Sequence, residues 1–380
     1  MDDIITVKKE KPSIILIIME TILGIGLWYV TRRAVSVLLA VRMYDLMSGR
    51  RLAILLFLTF SFLFLFGFCV QLWISGVKRY FLFLMAKEDM VAIRRSALQN
   101  SFAVYLFQDF KKKLMWYDLL MNVGYTFLGS TCYIILLMIK TEFTFSQFMG
   151  LYVLFCVILT PVMERHRKKV YSRQHATMFV DCDPKTYYDF AEQMKTIPMF
   201  KDWILSRQFS QMTACYYLHD WENLEREYRK MNITKYDYHR KLLTLHLRGI
   251  AYISSGNVEA YQSVLSELRE LETAGVMLKA DQALAPEVRE ALDMVEKLQK
   301  GKYEAAYPII QKRLHQRQSK IEYVELLFWQ GQAQMKLGRY QEAKESLRQV
   351  AERGGTMAVQ KLAEELLKEM EADQASNYDE

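Results

Sequence analysis

Long, nearly uncharged apolar stretches in the first 164 residues constrain this chain more than any other feature. A helix needs about 20 apolar residues to cross the roughly 30 Å hydrocarbon core of a bilayer. Residues 13–30, 52–77, 117–139 and 147–163 approach this length and are predicted as four transmembrane helices, the last being short. No small-residue cleavage site precedes Arg32 and Arg33, so the first helix is predicted to be retained rather than removed as a signal peptide. Residues 1–164 are therefore predicted to form a membrane domain.

Charge is distributed differently in the two halves of the chain. The 380 residues carry a formal net charge of +7. Residues 1–164 hold 17 Lys or Arg against 11 Asp or Glu, whereas the remainder holds 33 against 32. The nearly balanced polar half argues against a nucleic-acid-binding domain. Only 16 Gly, 6 Pro and 5 Cys occur, which excludes a collagen, a disordered chain and a disulfide-stapled secreted domain.

Basic residues in short loops predict the orientation of membrane helices. Residues 140–146 contain one Lys, whereas 78–113 contain eight basic residues and 165–173 contain five. The third and fourth helices are therefore predicted to form a hairpin that opens to the cytoplasm, with the polar C-terminal half and the N-terminus also inside. One loop contradicts this orientation, because five arginines would then lie outside, and a re-entrant first or second segment would remove the conflict. These arginines are Arg32, Arg33, Arg42, Arg50 and Arg51.

Residues 78–113 are too polar to cross a membrane and too periodic to be a loop. Their aromatic and aliphatic residues recur at spacings of three and four, with basic residues between them. Two interpretations follow. The segment forms either one or two helices lying in the inner headgroup plane or a helical hairpin packed under the C-terminal half. A basic linker is predicted at 165–183.

Three polar side chains within the predicted spans would lie at similar depth. Counted from the cytoplasmic ends of their helices, Glu20, Gln71 and Asn122 lie roughly 8–11 Å into the membrane at about 1.5 Å per residue. A carboxylate inside a spanning helix is costly and usually faces a partner or water. This polar layer is predicted either to fix the bundle through interhelical hydrogen bonds or to form part of a proton or substrate route.

A short motif recurs in the polar half: a turn residue, any residue, an aromatic or aliphatic residue, and then a small residue. Gly338-Arg339-Tyr340-Gln341-Glu342-Ala343 is the clearest copy, and Gly301-Lys302-Tyr303-Glu304-Ala305-Ala306 lies 37 residues earlier. Looser copies begin at Gly256 and His219. The motif resembles the tetratricopeptide repeat, a helix-turn-helix unit of about 34 residues. The resemblance implies an α-solenoid over 184–371, followed by a disordered tail at 372–380.

Further positions carry the same resemblance. It places Gly249 and Gly331 where paired helices approach closely, and Asp183-Pro184 looks like a helix cap followed by proline at the first helical position. Residues 179–194 are also similar to the start of the solenoid in membrane-anchored repeat proteins of Gram-positive bacteria, which implies a bacterial cytoplasmic membrane. The chain is thus predicted to be all-α, with an N-terminal transmembrane helical bundle followed by a cytoplasmic tetratricopeptide-like solenoid.

The resemblance also implies a binding surface, because tetratricopeptide solenoids bind peptides or helices on a concave face formed by the first helix of each unit. The positions that it assigns to this face are Ser206, Phe209, Thr213, Tyr216, Tyr217, His246, Ile250, Ile253, Phe328, Gln332 and Met335. Aromatic and Met side chains favour an apolar helix or internal segment as the ligand. The alternative is that these residues merely pack neighbouring helices together.

No sequence-local motif for metal, nucleophile or phosphate chemistry occurs, and neither a cofactor nor a metal is predicted. We therefore predict a non-enzymatic, membrane-anchored adaptor or scaffold that recruits a protein partner at the cytoplasmic face, with basic juxtamembrane residues contacting lipid. The alternative is an accessory subunit of a transporter or secretion system that uses the polar layer. An intramembrane hydrolase comes third, since only Glu20 and Asp118 offer it carboxylates.

Overall fold

The structure is a computed structural model that describes most of the 380 residues. The described residues are 4–8, 14–43, 49–85, 90–138, isolated positions between 150 and 170, and 174–197, 201–231, 233–273, 284–316 and 318–376. The predicted loop at 140–146 lies outside this part of the chain, as do most of the predicted span 147–163 and most of residues 165–173.

The described residues of the N-terminal half are helical apart from one short sheet. Strand β1 (Ile4–Lys8) pairs antiparallel with β2 (Met90–Arg94), with Ile4 opposite Arg94. The helices of this half are α1 (Ile14–Met43), α2 (Gly49–Met85), α3 (Arg95–Gln99) and α4 (Ser101–Met138). Sequence analysis missed the sheet, because each strand has five residues and its partner lies more than 80 residues away.

Within the described residues, two helices are long and apolar enough to cross a membrane, namely Ile14–Val37 in α1 and Ile54–Lys78 in α2. Only 6% of the apolar segment of α1 is buried. Its apolar side chains face outward, and Ile15, for example, has 72% of its surface exposed. The Thr31 hydroxyl donates to the carbonyl of Phe62 at 3.2 Å, which holds the two helices together. Two of the four predicted spans therefore coincide with helices of the required length and composition, and the first is longer than predicted.

The strand pair relates the two ends of the α1–α2 hairpin. Because β1 precedes α1 and β2 follows α2, their pairing brings the two ends of the α1–α2 hairpin to the same side. The re-entrant first or second segment that would remove the arginine conflict stays a prediction.

Helix α4 is a single helix of 38 residues, about 57 Å long at 1.5 Å per residue. Its second half contains most of the predicted third span. Its first half packs into the core of the C-terminal half, where Phe110 is fully buried and meets Phe190 edge to face at 5.7 Å. Of the two interpretations of 78–113, packing against the C-terminal half is the one observed. The segment comprises the end of α2, β2, α3 and the start of α4 rather than a separate helical hairpin.

The C-terminal half, defined here as residues 174–376, is a series of helices joined mostly by short turns. After a helical turn at 174–179 come α5 (Pro184–Gln193), α6 (Lys201–Tyr217), α7 (Trp221–Lys230), α8 (Tyr238–Ser254), α9 (Val258–Thr273), α10 (Leu284–Gln299), α11 (Tyr303–Leu314), α12 (Lys320–Lys336), α13 (Tyr340–Arg353) and α14 (Ala358–Ser376). Two boundaries differ from the prediction. Met178 and Cys182, expected in a linker, are buried in the core, and α14 continues through most of the expected tail.

Turns of one kind join five helix pairs in the described residues. In each turn one residue adopts a left-handed conformation, with φ between 52° and 75°, at Cys182, His219, Gly256, Gly301 and Gly338. The step between these residues is 37 except for 45 between Gly256 and Gly301. The four predicted turn positions are thus confirmed. Cys182 was missed because Pro184 and Tyr187 stand where the motif has an aromatic or aliphatic residue and a small residue.

Hydrogen bonds close these turns in the same way in the last four pairs. The N–H after the turn residue donates to a carbonyl five residues earlier, as from Arg339 to Gln334 at 2.8 Å and from Asp220 to Cys215 at 2.9 Å. This arrangement satisfies the free carbonyls at the end of the first helix. The second helix then begins on a capping side chain in several pairs, including Asp183, whose carboxylate accepts from the Thr186 N–H at 3.0 Å as predicted.

Close approach of helices requires glycine at two predicted positions. A Cβ atom at Gly331 would lie 2.9 Å from the Leu347 side chain of α13, and one at Gly249 would lie 2.5 Å from Leu292 of α10. Both small positions are confirmed. Gly249 makes its closest approach to the next helix pair rather than to its own partner helix.

Helix α6 lies at the centre of the C-terminal half. Every residue from 210 to 217 is buried, so the second half of the helix is covered on all sides. The two ends of the series also meet. The Thr356 N–H donates to the Cys182 carbonyl at 3.0 Å, and the Thr356 hydroxyl donates to the Asp183 carboxylate at 2.6 Å. The helices therefore wrap around α6, and their first and last turns are in contact.

Candidate functional site

The residues predicted to line a concave groove do not form an open groove in this structure. Five of them are buried, with 2–7% of their surface exposed: Thr213, Tyr216, Tyr217, Ile250 and Phe328. The remaining six are half-buried: Ser206, Phe209, His246, Ile253, Gln332 and Met335. For the five buried residues the alternative prediction applies, because they pack neighbouring helices together. The physical reason is that the series closes around α6 instead of curving past it.

A buried carboxyl group lies among these residues, and sequence analysis did not identify it. Glu325 of α12 is 7% exposed and faces Tyr216 of α6. Burial raises the pKa of Glu325 to about 8, and Glu322 acts in the same direction, while Tyr216 and Arg313 oppose the rise. Burial likewise raises the pKa of Tyr216 well above its ordinary value. The sequence did contain a signal, since Glu325 interrupts an otherwise apolar run from Val324 to Phe328.

His246 of α8 belongs to the same region. Burial lowers its pKa to about 3, and the Arg313 charge lowers it further. The ring is therefore neutral at physiological pH and brings no positive charge to Glu325. Tyr217 also faces Glu325 and Glu322, and burial raises its pKa. Burial thus favours the protonated form of Glu325, whereas Tyr216 and Arg313 favour the ionised form.

A second polar cluster forms the joint between α3–α4 and the C-terminal half. The Asn100 amide donates to the Asp189 carboxylate at 2.9 Å, and the Gln193 amide donates to the Ala97 carbonyl at 2.7 Å. Burial raises the pKa of Asp189, and the hydrogen bond from Asn100 opposes that rise. The Arg94 guanidinium lies 4.5 Å from the ring centre of Tyr188. These contacts fix the orientation of the C-terminal half on α4.

Two further carboxylates are buried near this joint. Glu192 is 2% exposed, pairs with Lys195 and accepts a hydrogen bond from the Gln211 amide at 2.7 Å. Glu227 is 1% exposed and pairs with Lys230 at 2.7 Å. Removal of one partner of such a buried pair is strongly destabilising, because it leaves an uncompensated buried charge.

The three residues of the predicted polar layer occupy different environments. Gln71 and Asn122 are buried, at 6% and 3% exposure. Glu20 is half-buried, and its Oε2 lies 3.2 Å from the position of a Cβ at Gly76, so the carboxylate packs against α2. Glu20 also lines a cavity of about 240 Å³ between α1 and α2, whose wall is otherwise largely apolar and includes Trp28 and Trp73.

Metal binding receives no support from the part of the chain that the structure describes. No group of three or more His, Cys, Asp or Glu side chains there is placed to hold a metal ion.

Comparisons with known proteins supply no relative. No family model matches the chain, and neither a curated protein nor a solved structure matches it.

Proposed function

With no relative to supply a function, we propose that the chain is a membrane-anchored adaptor whose C-terminal half recruits a protein partner at the cytoplasmic face of a bacterial membrane. The observation that carries this proposal is helix α4. One end of this continuous helix packs against α2, and the other end enters the core of the C-terminal half. Such a helix would hold the C-terminal half at a defined distance and orientation from a bilayer.

The character of α1 and α2 supports the membrane anchor. Large apolar side chains cover the outside of α1, and a water-exposed apolar surface of that extent would favour aggregation. The paired guanidinium and aromatic groups at Arg32–Trp28 and Arg33–Tyr29, each 5.6 Å from cation to ring centre, suit the headgroup region at the far end of α1.

The repeated turns and close helix contacts support a tetratricopeptide-like solenoid in the C-terminal half. Its 37-residue step is slightly longer than the usual period of about 34 residues. Family members use such a fold to bind peptides or helices. Glu192 and Glu227 are buried and paired with lysines, which favours a structural role over catalysis for these two carboxylates.

Partner capture tests this function. We expect a protein partner to copurify with the full chain from its own membranes in mild detergent and to be lost from Ile253→Lys, which places a charge on the half-buried inner surface. Val258→Lys changes a residue that is 67% exposed and should retain the partner.

A transport accessory would behave differently. Its partner should remain bound to Ile253→Lys and be lost from Asn122→Leu, because the transport function would use the buried amide of Asn122. Retention of every partner by both variants would contradict both functions.

Topology gives a separate prediction. In a variant without native cysteines, Ser146→Cys should react with an impermeant thiol reagent from outside the cell, because the loop 140–146 lacks the basic residues that retain loops inside. Ser255→Cys, in the exposed turn after α8, should react only after permeabilisation. The opposite pattern would place the C-terminal half outside the cell.

A further inference from the structure

The cavity between α1 and α2 carries its charge at one end. Its α1 wall runs from Glu20 to Trp28, and its α2 wall runs from Phe66 to Trp73. At 1.5 Å per residue the α1 wall is about 12 Å long. Among the described residues that line the cavity, Glu20 is the one with a charged side chain. Thr21 adds a hydroxyl, which already donates to a carbonyl of its own helix at 2.7 Å. The wall is therefore largely apolar and presents one carboxyl group.

Trp73 lies at the carboxylate end of the cavity. The Oε2 atom of Glu20 is 3.2 Å from the position of a Cβ at Gly76, and Trp73 lies three residues before Gly76, about one helical turn away on α2. Since α1 and α2 run antiparallel, Trp28 and Phe66 lie at the other end. The face of an indole ring attracts a cation. The carboxylate and the indole at this end therefore favour the same kind of group.

The other end of the cavity suits an apolar group. Phe66 is buried there. The Arg32 guanidinium lies 5.6 Å from the ring centre of Trp28, so a second cation at this end would be repelled. A ligand that matches both ends combines a positive charge with an apolar body.

Gly24 leaves the cavity its room. Beyond the adjacent backbone and the neighbouring residues of α1, a Cβ atom at Gly24 would meet no described atom within 4 Å. The cavity measures about 240 Å³, whereas an apolar cavity of about 150 Å³ holds a benzene molecule. Ile25 and Trp73 on its wall are 64% and 40% exposed, so the cavity opens to the outside of the hairpin. A molecule with one ring and a few further groups therefore fits and can enter.

We propose that this cavity binds an organic cation, with its ammonium group beside Glu20 and Trp73 and its apolar body toward Trp28 and Phe66. An anion would be repelled by Glu20, and a neutral apolar molecule would bury the carboxylate against hydrocarbon, which is costly. A cation supplies the opposite charge, and burial of its apolar body adds to the affinity. The site goes beyond the adaptor function, which is assigned to the C-terminal half.

Equilibrium binding of benzyltrimethylammonium to the full chain in an uncharged maltoside detergent tests the site, because this probe joins a quaternary ammonium to one ring. We expect saturable binding of one probe per chain. Glu20→Gln keeps the shape of the side chain and should weaken the affinity about tenfold or more, since it removes one partner of a desolvated charge pair.

Two glycines of α1 provide a matched pair of variants. Gly24→Leu fills the cavity and should abolish binding. Gly26→Leu places the same side chain in equally open space outside the cavity wall and should retain the wild-type affinity, because Gly26 is exposed.

An ammonium group can come from a small organic cation or from a lipid headgroup, and added lipid distinguishes these sources. Phosphatidylcholine should displace the probe if a choline headgroup occupies the site and should leave the affinity unchanged if the ligand is a small cation. Phosphatidylglycerol has no ammonium group and should not compete in either case.

Three results would overturn the proposal: no saturable binding to the wild-type chain, an unchanged affinity in Glu20→Gln, or equal affinities in Gly24→Leu and Gly26→Leu. If Glu20→Gln does not fold, Trp73→Leu provides a second variant at a partly exposed position, and the loss of its indole should weaken binding about threefold or more. No protein partner takes part in these measurements, so a failure of the adaptor function would leave their results unchanged.

Discussion

Phe110→Ala is expected to lower the free energy of unfolding of the C-terminal half by about 3–5 kcal/mol, the usual cost of truncating a buried aromatic side chain. Phe110 lies on α4 and is fully buried against Phe190 of α5. Phe102 lies two turns earlier on the same helix and is 49% exposed, so Phe102→Ala serves as the matched control and should cost well under 1 kcal/mol. Hydrogen-exchange protection of residues 184–193 during denaturant titration measures both effects.

Equal, small effects of the two substitutions would mean that α4 does not belong to the C-terminal core. The expected result has a practical consequence. A fragment that begins at residue 166 omits Ala103, Phe107 and Phe110, which belong to that core. The sequence-based boundary at 164 therefore divides a folding unit, and the C-terminal half needs the start of α4 to complete it.

Ala343→Trp is expected to destabilise the last helix pair by about 1–3 kcal/mol or more, because Ala343 is fully buried and the new side chain overpacks the site. Ala305→Trp is the control, since Ala305 is exposed next to Ala306, the equivalent buried position of the preceding copy. Limited proteolysis of the full chain should reveal new cleavage in residues 323–370 of Ala343→Trp and none in the control.

The contact between the first and last turns of the C-terminal half predicts a second region that Ala343→Trp should destabilise. Damage in an open repeat array reaches mainly the nearest neighbours. Here the turn after α13 bonds to Cys182 and Asp183 through Thr356, so cleavage in Ala343→Trp should also appear near residues 182–193 while α8 and α9 stay resistant. Uniform resistance of the whole C-terminal half would mean that Ala343 does not occupy a tight helix contact.

Features that depend on neighbouring residues were accessible from the sequence alone. The apolar stretches 13–30 and 52–77 coincide with two helices suitable for a membrane, because length and hydropathy are local properties. The turns at Gly256, Gly301 and Gly338 were accessible for the same reason, since positive φ at the end of a helix favours glycine. Gly331 was recognisable because the tetratricopeptide resemblance places a small residue at this position of the unit.

Contacts between distant residues were decided only by the tertiary structure. The pairing of β1 with β2, the insertion of Phe110 beside Phe190 and the contact of Thr356 with Asp183 each join segments at least 80 residues apart. Whether a series of helix pairs stays open or closes depends on the small rotation between each pair and the next. These rotations add up along the series, and local sequence patterns do not predict the total. The closed arrangement buries Tyr216 and Tyr217, which the repeat pattern had assigned to an open face, and it also buries Glu325.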